Sequence, residues 1–223
     1  VWFAATTAAV AVGVVIGLVL SAQNPTFLVD GEQHARFGGS ALTRALNNFA
    51  FFTIQSNLIV GATSLLLALN PNRPSTVFRV FRLIGLVAIT VTFLVFHTAI
   101  SGLVDLDTWA KTADTLVHTV VPIMAVAGWI MFGPRDLTSA RVAKLTVIYP
   151  LAYMLFTAIR GPLASDWYPY TFADVTTHGY ARVLINALWI GLLFIAIAGT
   201  ATAVDKRLSG GRAPPPAPAE AAS

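Results

Sequence analysis

Apolar runs of about 20 residues, the length needed to cross a bilayer core as a helix, recur along this chain. They occupy roughly 1–22, 49–69, 79–101, 113–133, 141–160 and 181–204. Polar stretches rich in turn formers separate them: Asn24-Pro25 and Gly38-Gly39, Asn70-Pro71 and Pro74, Asp105 and Asp107, Gly133-Pro134, and Gly161-Pro162. Backbone in lipid must satisfy its hydrogen bonds within the segment, so each run predicts a helix. The expected fold is all-α: a polytopic bundle of six transmembrane helices over 1–208, then a disordered Pro/Ala-rich tail over 209–223. The first run lacks a basic start and exceeds the apolar core of about 7–15 residues in a signal peptide, so it reads as a span.

Composition agrees. Of 223 residues, 56% are hydrophobic and 11% charged, against about 25% charged in a soluble domain. The net charge of +4 is too diluted to indicate a nucleic-acid partner. The absence of cysteine excludes thiolate nucleophiles and cysteine-ligated metals. Charge placement says more. Six spans put both termini on one side, and the connections and tail of that side hold Arg73, Arg79, Arg82, Arg135, Arg141, Lys144, Lys206, Arg207 and Arg212, nine of the 14 basic residues. Short basic loops stay cytoplasmic, so both termini are predicted to be cytoplasmic. Compact loops and the Ala/Pro tail fit a bacterial inner membrane. Trp109 and Trp167 near outer ends, and Trp129 near an inner end, read as interfacial anchors.

On this topology the polar residues inside the spans fall at one depth. With a rise of about 1.5 Å per residue, Thr53, His97, His118 and Asn186 each lie roughly 6–8 Å inside the outer end of their span. Thr53, Ser56 and Asn57 are spaced i, i+3, i+4 and share a face. Asp114 and His118 are four apart and can touch, as can His97 and Ser101. Hydroxyl and amide side chains often serve as packing glue between membrane helices, and Arg160 at a span end reads as a snorkelling anchor or an anion binder. Two histidines at one depth beside a hydroxyl cluster favour a functional site.

A hydroxyl beside an imidazole permits nucleophilic acyl transfer. Thr53 or Ser56 is the candidate nucleophile, His118 the base, and Asp114 the group that fixes its tautomer. Gln55 or Asn57 is the candidate oxyanion donor. Ser56, Asn57, His97, Asn186, Tyr168 and Arg160 are the expected substrate-binding residues. The rival readings are a metal site on His97, His118 and Asp114, a transporter with spans kinked at Pro122 and Pro150, and a lipid-binding scaffold.

Three short segments carry a resemblance. Phe51-Phe52-Thr53 resembles the aromatic-Leu-Thr segment of the androgen-induced-gene-1 family of membrane hydrolases, which includes the androgen-dependent regulator of tissue factor pathway inhibitor. Val117-His118-Thr119-Val120-Val121-Pro122 is similar to that family's His-Thr-Thr-Val-Leu-Pro stretch, and Asp166-Trp167-Tyr168-Pro169-Tyr170 to its Trp-Val-Tyr-Pro motif. Order and spacing fit over about 40–205. The resemblance implies a multipass threonine hydrolase of fatty acid esters of hydroxy fatty acids, with Thr53 as nucleophile and His118 as base. Asp114 stands where that family's pattern leads one to expect Asn. The implied partner is a membrane lipid or lipid-ester substrate, with no cofactor and no metal.

Overall fold

The computed structural model describes residues 1–24, 38–72, 75–101 and 106–210 in full, and 26–29, 32–35 and 104–105 by their backbone. The predicted tail lies outside the described residues beyond 210, although Ser209 itself closes the last helix. Among the described residues, six helices are long and apolar enough to cross a membrane: Trp2–Gln23, Phe52–Leu69, Thr76–Ile100, Thr108–Phe132, Ala140–Leu163 and Val175–Ser209. That is the composition of an integral membrane protein.

The last four begin earlier than hydropathy alone predicts, because polar caps set their starts. The side chains of Ser75, Asp107, Ser139 and Asp174 each accept from backbone amides of the following first turn. The helices are numbered in chain order: α1 is Trp2–Gln23, α2 the short Ala41–Asn47, α3 Phe52–Leu69, and α4 Thr76–Val95. The fourth span comprises α5, Thr108–Thr115, and α6, Val121–Phe132. The fifth comprises α7, Ala140–Thr146, and α8, Ile148–Leu163, and α9 is Val175–Ser209.

Two spans widen locally into π-helical turns. One, Phe96–Ile100, extends α4 and closes with the Ser101 amide donating to the Phe96 carbonyl at 2.8 Å. The other, Leu116–Val120, joins α5 to α6. Pro122 explains the second. It has no amide to donate, and its ring crowds the carbonyl of the residue four before it, His118. A wider turn relieves both. Pro150 stands in the same relation to Thr146, where the fifth span breaks into α7 and α8.

The fold is all-α as expected, with one small addition in the loops. Backbone pairing forms a three-stranded antiparallel sheet in the order β2-β1-β3, with β1 Thr26–Val29, β2 Glu32–Ala35 and β3 Val104–Asp105. The register pairs Val29 with Glu32 and Leu28 with Asp105, so the sheet ties the first loop to the third. Asp30-Gly31 between β1 and β2 is a favoured two-residue hairpin sequence, and it was the available signal.

The core lies along α3 and α4, each of which buries 50% of its most apolar stretch, whereas α9 buries 11%. One cluster joins Leu83, Val87 and Val91 of α4 to Trp129, Phe194 and Ala198. A second joins Val10 and Val14 of α1 to Val60, Ile89 and Val121. Trp129 therefore sits in the core at 8% exposure, not at an interface as its position near a span end implied. Lipid gives helices little hydrophobic reason to associate, so small residues that admit close approach hold these seams. A Cβ on Gly61 would meet Val10 Cγ1 at 2.9 Å, one on Gly13 would meet Val117 Cγ1 at 2.9 Å, and one on Gly85 would meet Ile59 Cγ2 at 3.1 Å.

Replacing Gly61 by Leu is expected to push α1 off α3 and cost about 1–3 kcal/mol. The thermal midpoint of the purified protein in detergent should fall accordingly. Gly17→Leu, where a Cβ meets nothing within 4 Å, should leave the midpoint unchanged.

Candidate active site

Thr53 is the second residue of α3 and is 8% exposed. Aromatic packing fixes the start of this helix. The Phe51 ring meets Trp167 edge-on at 5.7 Å and Tyr170 edge-on at 5.5 Å, and Phe52 packs against Tyr149 and Tyr153. The Tyr153 hydroxyl donates to the Ala50 carbonyl at 3.0 Å. The 164–174 connection is thereby clamped over the first turn of α3.

The Thr53 Oγ1 lies 3.3 Å from His118 Nε2. That is long for a hydrogen bond but normal for a hydroxyl–imidazole pair awaiting substrate. On the other side of the ring, His118 Nδ1 is 2.9 Å from Asp114 Oδ1 and 3.2 Å from the Asp114 carbonyl. Two acceptors at Nδ1 place the ring proton there and leave the Nε2 lone pair facing Thr53. Phe96 stacks on the imidazole at 4.0 Å and 10°, which restricts rotation of the ring. Phe96 and His118 both sit on the π-helical turns, a feature frequent at functional sites.

Tyr170 completes the arrangement. Its hydroxyl oxygen accepts from the Thr53 amide at 3.2 Å and lies 3.2 Å from Thr53 Oγ1. Burial raises the Tyr170 pKa above the ordinary 10.0, outweighing the opposing contacts with Thr53. Its proton therefore stays available for donation. Two features hold the connection. Asp174 caps α9 with both carboxylate oxygens, and the hydrogen bonds from Thr176 and Thr177 outweigh the upward push of burial and keep its carboxyl below the usual range. Asn186 donates to the Phe172 carbonyl at 2.9 Å, below the stacked rings of Phe172 and Tyr170.

The other residues expected at the site divide. Tyr168 lines the cavity and packs against Gly161. Ser56 and Asn57 lie fully buried behind Thr53. Ser56 donates to the Thr53 carbonyl at 2.9 Å and meets Thr92 Oγ1 at 3.1 Å. Asn57 Nδ2 bridges the carbonyls of Thr53 at 2.8 Å and Val117 at 3.0 Å, so it fixes the strand of helix carrying Thr53 against the turn carrying His118. Neither predicted oxyanion donor faces the cavity, since Gln55 Nε2 is likewise committed to the Phe49 carbonyl at 2.9 Å. Arg160 bonds Asn47 Oδ1 and lies 5.0 Å over the Trp167 ring, bracing the connection. His97 is exposed and turned away, with Nδ1 at 2.9 Å from the Phe93 carbonyl and Nε2 at 3.2 Å from Thr119 Oγ1. No three metal-ligating side chains converge among the described residues.

Sequence reasoning missed Tyr170 as a partner of Thr53. The Asp166–Tyr170 segment drew attention to Tyr168, but a connection without helical period assigns no face to either tyrosine. Thr53, His118 and Tyr170 all border a cavity of about 220 Å³. Its other walls are mostly apolar residues of α4, α8 and α9, including Val91, Pro150, Met154, Leu184, Ala187 and Phe194, with Thr92 and Thr157 among them. Comparison with protein-family models, with curated proteins and with solved structures gave no match.

The Tyr170 assignment has a spectroscopic consequence. Because burial disfavours the phenolate, Tyr170 should be less ionised at pH 10.0 than an ordinary tyrosine, which is half ionised there. The ultraviolet phenolate signal of the native protein at that pH should exceed that of Tyr170→Phe by less than half of one tyrosine's signal. In the unfolded chain the same residue ionises first, so its share of stability is complete below pH 10.0 and declines above it.

Proposed function

We propose that this protein is an intramembrane threonine-type hydrolase of lipid esters. The observation that carries the reading is the line Thr53 Oγ1, His118 Nε2, His118 Nδ1, Asp114 Oδ1 at the wall of an apolar cavity. The ester carbonyl carbon is attacked by Thr53 Oγ1 while His118 Nε2 takes the hydroxyl proton. The Asp114 carboxylate holds the ring in the required tautomer and stabilises the imidazolium that forms. Once substrate displaces their mutual contact, the Thr53 amide and the Tyr170 hydroxyl become the donors nearest the developing oxyanion. His118 then returns its proton to the departing alkoxide, leaving an acyl-threonine. Water enters, gives a proton to His118, attacks the acyl carbon and releases the acid, and the proton goes back to Thr53.

The cavity walls favour a substrate with long apolar chains, and the resemblance noted above suggests fatty acid esters of hydroxy fatty acids. Exposed Leu155, Ile159, Leu184, Leu188 and Trp189 on α8 and α9 support a lipid-facing wall, through which such a substrate would enter laterally. The basic loops support cytoplasmic termini and a site in the outer leaflet of a bacterial inner membrane.

Thr53→Ala should lower hydrolysis of a fatty acid ester of a hydroxy fatty acid by at least about a thousandfold, with unchanged expression and thermal midpoint. A fluorophosphonate probe should label the wild-type protein and not this variant. Asp114→Ala, which removes the side-chain acceptor from His118 Nδ1, should lower kcat by about a hundredfold or more while leaving KM near its original value. Undiminished turnover by Thr53→Ala removes Thr53 as nucleophile. Stoichiometric lipid binding without turnover by the wild type replaces the hydrolase with a lipid carrier.

A further inference from the structure

At the end of α4 remote from Phe96, Arg82 lies inside the bundle at 5% exposure. Its Nε and Nη2 are buried without a hydrogen-bond partner, and so is Nε of Arg79. The two residues are three apart on one helix and share a face. Among the described residues the one ion pair is His118 with Asp114, so neither arginine has a carboxylate beside it. Asp205 on α9, the buried acid, accepts from the Thr138 amide and hydroxyl through Oδ2, and although its Oδ1 is buried without a partner it forms no ion pair with either arginine. The Phe3 ring of α1 lies 5.5 Å from Arg82 Cζ, a partial compensation.

This arrangement is costly as it stands. A buried charge needs a partner. Arg79 also sits in the first turn of α4, where the helix dipole already favours an anion over a cation. We propose that Arg79 and Arg82 bind the phosphate group of an anionic phospholipid at the basic end of the bundle. A guanidinium offers paired N–H donors in the fork that phosphate oxygens accept. Depth fits a headgroup: Arg82 is six residues past the start of α4, about 9 Å along its axis, a distance of the order that a long arginine side chain spans. The site is separate from the cavity at Thr53 and does not depend on hydrolysis.

The test uses the full chain, delipidated in detergent, then exposed to mixed micelles containing phosphatidylglycerol or phosphatidylcholine at equal mole fraction. Native mass spectrometry counts retained lipid, and thermal unfolding gives the midpoint. The expected result is selective retention of phosphatidylglycerol with a raised midpoint, both lost in Arg82→Gln. Both should be kept in Arg141→Gln, which removes an exposed charge at the same end, and in Thr53→Ala. A midpoint raised by inorganic phosphate alone, through Arg82 and with no lipid selectivity, keeps the phosphate site and assigns it to the free anion. Equal behaviour of wild type and Arg82→Gln toward both lipids and phosphate overturns the proposal. If Arg82→Gln does not fold in phosphatidylcholine micelles, Arg79→Gln and Arg82→Lys are judged by the same criterion, with partial loss expected from the lysine.

Discussion

A helix that must close its own backbone hydrogen bonds has few places where a polar group stays free. Those places are its first turn and any turn where the ladder is irregular. In six helices apolar enough for a bilayer, this constraint decides where chemistry can sit. Thr53 occupies the first turn of α3, where its amide has no intrahelical acceptor and turns to Tyr170. His118 occupies a π-helical turn that Pro122 makes necessary. The contact between them joins two such irregular points. The remaining features of the site keep that contact in place: the Asn57 bridge from behind, the Phe96 ring at the side, and the 164–174 connection above.

The connection deserves its share of the explanation because it supplies a group that no span carries. Its aromatic residues pack on the start of α3 from one direction, and Arg160 braces it from another through Asn47 and Trp167. Tyr170 is thereby held with its ring partly exposed and its hydroxyl enclosed against Thr53. A phenol in that setting keeps its proton at any pH the protein is expected to meet. It can serve as a donor where a carboxylic acid or a thiol of ordinary pKa would have ionised.

Much of this was legible in the sequence. Run length and turn residues marked the six spans. Counting residues from the span ends put Thr53 and His118 at one depth, and the i, i+4 spacing put Asp114 on His118. Depth, however, fixes only one coordinate of three. His97 shares the depth of His118 but lies on another azimuth of its helix, which is why it meets Thr119 and not the cavity. Asn57 shares a face with Thr53, yet that face is buried between helices, so its amide is consumed by backbone carbonyls. The small sheet escaped because strands of four residues leave too weak a period to compete with a loop. Tyr170 escaped because its segment has no period at all.

The bundle divides into a tight half and a loose half, and the site spans the boundary. On the tight side, Gly61 and Gly85 let α1, α3 and α4 approach until side chains of neighbouring helices touch their backbones, Gly13 does the same for α1 and the turn carrying His118, and Ser56 bonds Thr92 across the α3–α4 seam. Those contacts hold the helices that carry Thr53 and His118. On the other side, α9 buries little of its surface and bends at Gly179, whose φ of 73° suits a residue without a Cβ. Gly191, which lines the cavity, has nothing within 4 Å of where a Cβ would stand. A nucleophile and its base need distances fixed to a fraction of an ångström, whereas an apolar chain needs volume and a way in. Small residues serve both ends here, by closing the seams between α1, α3 and α4 and by leaving space along α9.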